Sequence, residues 1–206
     1  MSDLLEKLSA GVAEMGLPVS LETQRVLINY LNLLVKWNKV YNLTAVRDPL
    51  DMITLHLLDS LSVLPFIKGS SLLDVGSGGG LPGIVLAICL PELLVTTIVS
   101  VQKKAIFMRQ VKGELGLENL QVVHKRVEEY EVEKPFELII SRAFSELSHF
   151  MALTQHLLVD GGLWLAMKGV SPQQDLELLK LKASNVYPLF VAGLNAERHL
   201  AVIEKF

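Results

Sequence analysis

Apolar and polar positions along the chain fall into two regimes that meet near residue 70. In the first, apolar residues recur at helical spacing. Leu4, Leu5, Leu8, Val12 and Met15 make one stripe, closed by Gly16 and Pro18. Ser20 is an N-cap for a second helix with the stripe Val26, Leu27, Tyr30, Leu31, Leu34 and Val35. Asp48-Pro49 reads as an N-cap with proline at the first helical position, opening a third helix that carries Ile53, Leu57, Leu61 and Leu64. Residues 65–71, with Gly69 among them, mark the boundary. The pattern predicts a helical region over 1–68, packed on a second region over 69–206.

In the second regime short apolar runs alternate with helix-length segments. Strands are predicted at 72–75, 95–100, 120–123, 136–141 and 163–167, and helices at 81–90, 102–115 and 146–158. Two late strands, 186–191 and 200–203, close the chain. Such alternation predicts an α/β fold with a mostly parallel sheet, whose ligands sit at the carboxyl edge of the strands.

Composition narrows the class. Half of the 206 residues are apolar and 20% are charged, a globular balance and not a disordered one. The mean hydropathy of +0.41 raises the question of a membrane span, and residues 81–101 are long enough to make one. Pro91-Glu92 interrupts that stretch and its second half is β-branched, so it reads as a buried helix followed by a buried strand. Asp3 and Glu6 stand where a signal peptide would carry basic residues. A lone cysteine, Cys89, excludes an internal disulfide and a multi-cysteine zinc site, and fits a reducing compartment. The expectation is a cytoplasmic protein with no membrane segment and no metal. Its net charge of −3 argues against bulk coating of nucleic acid. Only local basic pairs, such as Lys36 with Lys39, Lys103 with Lys104, Arg109 with Lys112 and Lys125 with Arg126, are available for RNA. Each is equally readable as a solvated helix face.

The chemistry concentrates in Asp74-Val75-Gly76-Ser77-Gly78-Gly79-Gly80-Leu81-Pro82-Gly83, between a predicted strand and a predicted helix. Glycines let the backbone turn sharply and let a ligand approach where a Cβ would collide, and a helix start adds oriented N–H groups. The loop has no Gly-Lys-Ser/Thr ending, which excludes a phosphate-cradling P-loop. The acid directly before the glycines leans toward S-adenosylmethionine, with a nicotinamide dinucleotide still open.

A wider set of motifs resembles one family. Trp37-Asn38-Lys39-Val40-Tyr41-Asn42-Leu43-Thr44 and His56-Leu57-Leu58-Asp59-Ser60 are similar to the N-terminal signatures of the bacterial 16S rRNA guanine-N7 methyltransferases, the RsmG (GidB) family. The glycine loop, Arg126-Val127-Glu128-Glu129, Ser141-Arg142-Ala143-Phe144, Lys168-Gly169 and Glu197-Arg198-His199-Leu200 come in that family's order. The resemblance implies a Rossmann-like methyltransferase fold behind a small helical N-terminal region. It implies S-adenosylmethionine as cofactor and, as substrate, a guanine N7 in the decoding-region loop of 16S rRNA within a small-subunit or precursor particle; the chain is expected to act as a monomer. The family's cofactor contacts fall on Gly76, Leu81, Val127, Glu128 and Arg142.

The residues themselves fit that chemistry. The fourth strand ends in Ser141-Arg142-Ala143 without an Asn/Asp-Pro-Pro element, and Cys89 lies in an apolar helix, away from any role as a nucleophile. Guanine N7 has a free lone pair and no proton, so methylating it needs positioning and no general base. Arg142 has two readings, a guanidinium for a cofactor carboxylate or an RNA phosphate, or a surface arginine with a stabilising partner. Glu128 is either an adenine-side acceptor or a solvated carboxylate. His56, Asp59 and His199 read as structural, and Trp37 and Tyr41 as core. Two departures from the family pattern stand out. Val99 replaces an acid that would bind the cofactor ribose, and Leu55 replaces an arginine before His56. Val99 keeps a second reading open, a binding protein on the same fold with impaired catalysis; a nicotinamide-dependent oxidoreductase is a third.

Overall fold

The computed structural model describes residues 2–142, 144, 146–178 and 184–205. Helices α1 (Ser2–Glu14) and α2 (Leu21–Tyr41) open the chain. The Ser20 hydroxyl caps α2, accepting from the Thr23 N–H at 3.1 Å. The third helix begins as read, with Asp48 Oδ1 accepting from the Leu50 N–H at 2.8 Å. It is not one regular helix: α3 (Pro49–Met52) runs through a π-helical turn, Ile53–Leu58, into α4 (Asp59–Leu61). A π turn holds one more residue than an α turn and so rotates the helix beyond it.

Seven strands then form one sheet: β1 (Ser71–Val75), β2 (Leu94–Val99), β3 (Leu120–His124), β4 (Phe136–Ser141), β5 (Leu158–Lys168), β6 (Ser184–Pro188) and β7 (His199–Glu204). Their order is β3-β2-β1-β4-β5-β7-β6. The first five strands pair in parallel, and β7 is antiparallel to both of its neighbours. Between them lie α5 (Gly83–Cys89), α6 (Gln102–Leu115), α7 (Leu147–Thr154) and α8 (Gln173–Leu178). The chain leaves β1 toward β2 on one side and returns to β4 on the other. That reversal opens a crevice beyond the carboxyl ends of the central strands.

Side chains alternate across the sheet. Leu72, Leu138 and Ile140 belong to one apolar cluster, which Leu8, Leu27, Leu34, Leu57, Leu86 and Phe107 complete. Leu73 and Ile139 point the other way, into a second cluster with Leu147, Phe150 and Trp164. The N-terminal helices and the strands therefore share one continuous core. The half-buried Cys89 packs against the first of these clusters, and desolvation pushes its thiol up to about 12.

Several boundaries shift for physical reasons. α5 starts at Gly83 and not at residue 81, because the glycine loop extends through Pro82. β5 starts at Leu158, ahead of Gly161-Gly162, and takes in the glycine pair by a left-handed turn of backbone at Gly161 (φ 75°). β6 ends at Pro188, which places 189–191 beyond the strand. Of the two aromatics read as core, Trp37 is half-buried against Phe107. Tyr41 lies largely in solvent and packs on Trp37 at 5.1 Å. No helix among the described residues is long and apolar enough to cross a membrane.

Candidate functional site

The glycine loop leaves β1 at the topological switch. Gly76 takes φ 73° and Gly78 takes φ 59°, conformations that a side chain resists. Three contacts fix the turn. The Asp74 carboxylate accepts from the Gly83 N–H at 2.8 Å, tying the loop's two ends together. A Cβ on Gly83 would lie 2.7 Å from Asp74 Oδ2, so only glycine fits there. The Ser77 hydroxyl donates to the Asp74 carbonyl at 2.8 Å. The fully buried Tyr30 phenol donates to the Gly79 carbonyl at 2.7 Å, so the helical region holds the loop from behind.

Two hollows meet at Gly76. The larger, a cleft of about 550 Å³, lies over the loop toward the helical region. That is within the range of small-molecule sites, about 300–1,000 Å³. Gly76, Leu81 and Arg142 line it, together with Thr44, His56 and Asp59. The smaller, about 230 Å³, lies beyond the ends of β2 and β3. Gly76 again lines it, with Val99, Ser100, Val127 and Glu128. The five residues expected to contact the cofactor thus divide between two adjoining hollows, with Gly76 common to both. Val127 is buried while Glu128 is exposed. Val99 stands at the strand end and presents an apolar group to the smaller hollow.

The larger cleft has an ordered polar wall. Asp59, 4% exposed, accepts from Arg142 at 2.7 Å and from Arg198 at 2.9 Å. Arg142 also donates to the Leu55 carbonyl at 3.4 Å. Arg142 is therefore an arginine with stabilising partners, as one reading had it, and it also lines the cleft. The backbone of Leu55 takes part in that bracing, whatever its side chain. His56 Nε2 is 2.9 Å from the Thr44 hydroxyl, and burial lowers its imidazole from the usual histidine range. Lys168 donates to the Phe144 carbonyl at 2.7 Å. His199 Nδ1 is buried without a hydrogen-bond partner among the described residues.

Sequence reading assigned no role to Tyr30 or Arg198. Tyr30 looks like one more member of an apolar helical stripe, and Arg198 stands in the motif before the last strand with nothing local to show its partner. Their partners lie 49 and 139 residues away, beyond any local pattern. The basic pairs do not gather at the cleft: Lys36, Lys39 and Lys103 are exposed on α2 and α6, and only Lys125 and Arg126 reach a hollow, the smaller one.

Known proteins share this arrangement. The chain is similar to the O-methyltransferase from Bacillus cereus in complex with SAH, with a TM-score of 0.61 and 17% identity over 86% of this chain and 91% of that one. It is similar also to TrmN from Thermus thermophilus, with a TM-score of 0.56 and 16% identity over 71% of this chain and 48% of that one. At such identities the likeness shows the fold, that of the methyltransferases. Sequence relatives go further. Ribosomal RNA small subunit methyltransferase G of Methylobacillus flagellatus is 60% identical over 198 residues, 96% of this chain and 97% of that one. The protein of the same name from Aromatoleum aromaticum is 53% identical over 205 residues, with the same coverage. The family model described as rRNA small subunit methyltransferase G, GidB, matches residues 23–201. With its fold, its glycine loop and nearly its whole length in common with these proteins, the chain belongs to the rRNA small subunit methyltransferase G (GidB) family.

Proposed function

We propose that the protein transfers a methyl group from S-adenosylmethionine to the N7 of a guanine in the decoding-region loop of 16S rRNA. Family membership over residues 23–201 carries the reaction class and the RNA. The two hollows joined at Gly76 support the cofactor, because S-adenosylmethionine is itself a molecule of two arms. In this reading the adenosine arm lies in the smaller hollow, against the Val127 backbone and the Glu128 carboxylate. The amino-acid arm lies over Gly76 and Leu81 toward Arg142. When bound, the cofactor supplies an electrophilic methyl group on a sulfonium.

The choice of N7 rests on the state of the cleft's titratable groups. Both carboxylate oxygens of Asp59 are engaged by arginines, and the His56 imidazole is neutral with Nε2 at Thr44. Asp59 is therefore not disposed to remove a proton from an amine, and Nε2 of His56 is already engaged at Thr44. A ring nitrogen with a lone pair needs none removed, so these residues act by holding the acceptor in line and excluding water. Residues 1–68 form a helical wall of the cleft and 69–206 the cofactor-binding unit. The protein works as a cytoplasmic monomer on the small subunit or its precursor particle.

The test is to incubate the protein with labelled S-adenosylmethionine and undermethylated small subunits, then map the product by cleavage at 7-methylguanosine. Label at one guanine of the decoding-region loop is the expected result. Binding of the cofactor without transfer would replace this function with that of a binding protein, the reading that Val99 favours.

A further inference from the structure

Asp59 organises the positive end of the larger cleft. Its Oδ2 accepts from Arg142 Nη1 and its Oδ1 from Arg198 Nε, so one buried carboxylate orients two guanidinium groups. The three residues come from three places: Asp59 from α4, Arg142 from the end of β4 and Arg198 from the turn into β7. Arg198 Nη1 donates also to the Glu197 carbonyl at 2.8 Å. Among the described residues the Nη2 group of Arg198 makes no hydrogen bond within the protein, and a quarter of the side chain is exposed. Arg198 stands at the rim. A Cβ on the exposed Gly169 would lie 3.7 Å from its Nη1, next to Val170, which is 80% exposed.

The charges in this cleft do not balance. Arg142 and Arg198 line it and share the carboxylate of Asp59, which leaves one positive charge on these three groups. His56 is neutral and contributes none. S-adenosylmethionine, with a sulfonium, an ammonium and a carboxylate, brings one more positive charge. Like charges gathered in a half-buried cleft repel at short range, and the acceptor base is itself neutral. A phosphate of the acceptor strand would bring an anion to this end of the cleft.

We infer that Arg198, oriented by Asp59, binds a backbone phosphate of the RNA strand that carries the target guanine. The substrate and cofactor in this inference rest on the function proposed above. A guanidinium fork matches two phosphate oxygens, and Asp59 leaves one edge of the Arg198 fork turned to the cleft. Arg142, with its second bond to the Leu55 carbonyl deeper in the cleft, stays on the cofactor side. Asp59 is a positioning residue for both.

The experiment compares the parent protein with Arg198→Gln and Arg198→Lys. Calorimetry measures the Kd for S-adenosylmethionine, and methyl transfer to undermethylated small subunits is followed over a range of salt. For Arg198→Gln the KM for subunits should rise about tenfold and the slope of log affinity against log salt should fall by about one, as for the loss of one phosphate contact. Its Kd for the cofactor should change much less than the KM, because Asp59 keeps its bond to Arg142. Arg198→Lys, which keeps the charge and loses the fork, should recover part of the KM and all of the salt slope. An unchanged KM and slope in Arg198→Gln would overturn the inference and leave the proposed function standing. A weakened cofactor Kd with an unchanged KM would overturn it too, by assigning Arg198 to the cofactor. Should the parent protein transfer no methyl group, the proposed function fails. Filter retention of the subunits then reads the phosphate contact on its own through the same change in salt slope. If Arg198→Gln does not fold, the Arg198→Lys comparison carries the test, because loss of the fork alone must still raise the KM.

Discussion

The Tyr30 phenol and the Gly79 carbonyl form a 2.7 Å hydrogen bond that joins the second helix of the chain to the middle of the cofactor loop. Both groups are buried. Tyr30→Phe would keep the ring against Phe107 and leave the Gly79 carbonyl without its donor. An unpaired buried carbonyl costs about 1–3 kcal/mol. The loop relaxes to recover a partner, so the variant should bind S-adenosylmethionine roughly tenfold more weakly, equivalent to about 1.4 kcal/mol, with a smaller change in kcat. Calorimetry beside a thermal melt checks it. A lower melting temperature with an unchanged Kd would show a bond that supports the fold only.

Val99 lines the hollow assigned to the adenosine arm and is 5% exposed. Val99→Asp would offer the ribose hydroxyls a charged acceptor, typically worth about 1.5–3 kcal/mol, against the cost of burying a carboxylate. The expected outcome is a cofactor Kd lower by about tenfold and a sharper preference over an analogue without the ribose hydroxyls. Titration of both ligands against both proteins decides it. No change in either would mean that the end of β2 does not meet the ribose.

With no proton to remove from the acceptor, methyl transfer should vary little between neutral and mildly alkaline pH. His56 is neutral throughout that range, since burial lowers its imidazole from the ordinary value. A single-turnover profile that climbs steeply with pH would reveal a general base.

Burial pushes the Asp74 carboxyl up from 3.8 to about 6, against the Gly83 N–H that favours its charged form, and Oδ1 has no hydrogen-bond partner. Between those two values the folded chain binds a proton that the unfolded chain has released. This group's contribution therefore favours folding at low pH, weakens as pH rises from about 4 to 6, and is a constant penalty above 6. Asp74→Asn keeps an acceptor for Gly83 and removes the charge. It should exceed the parent's stability by about 1–3 kcal/mol at neutral pH, with the gap narrowing toward pH 4.5. Urea unfolding at several pH values measures the gap, and one that does not change with pH would show that Asp74 does not titrate in this range.

The range of the forces involved decides how much was legible in the sequence. Local patterning located the helix over 102–115 and the strand over 136–141 to the residue, because a helical stripe and a short apolar run are local signals. The glycine loop was readable for the same reason. The π turn over Ile53–Leu58 was not, since it keeps a helical apolar stripe and differs only in its hydrogen bonding. Nor were the contacts of Asp59, whose arginines lie 83 and 139 residues downstream and meet it only when β4 and β7 are laid on either side of β5. The site residues read from motifs sit on a strand end, in the glycine loop and in the 3-10 turn Val127–Glu129, and those the motifs left without a role act through tertiary contact.

The apolar cluster that runs from Leu8 in α1 to Leu200 in β7 also decides what the chain can survive losing. A cut near residue 68 would part the sequence without parting the fold. A fragment starting at residue 69 would keep every strand, yet Leu86 and Phe107 would lose their cover and the Gly79 carbonyl its donor. Exposed apolar faces of that size drive association. The helical fragment would likewise turn Leu27, Leu31 and Leu34 to solvent. Neither piece can serve as a spare part for the other's work: a functional molecule returns only when both refold together around the same layer of side chains.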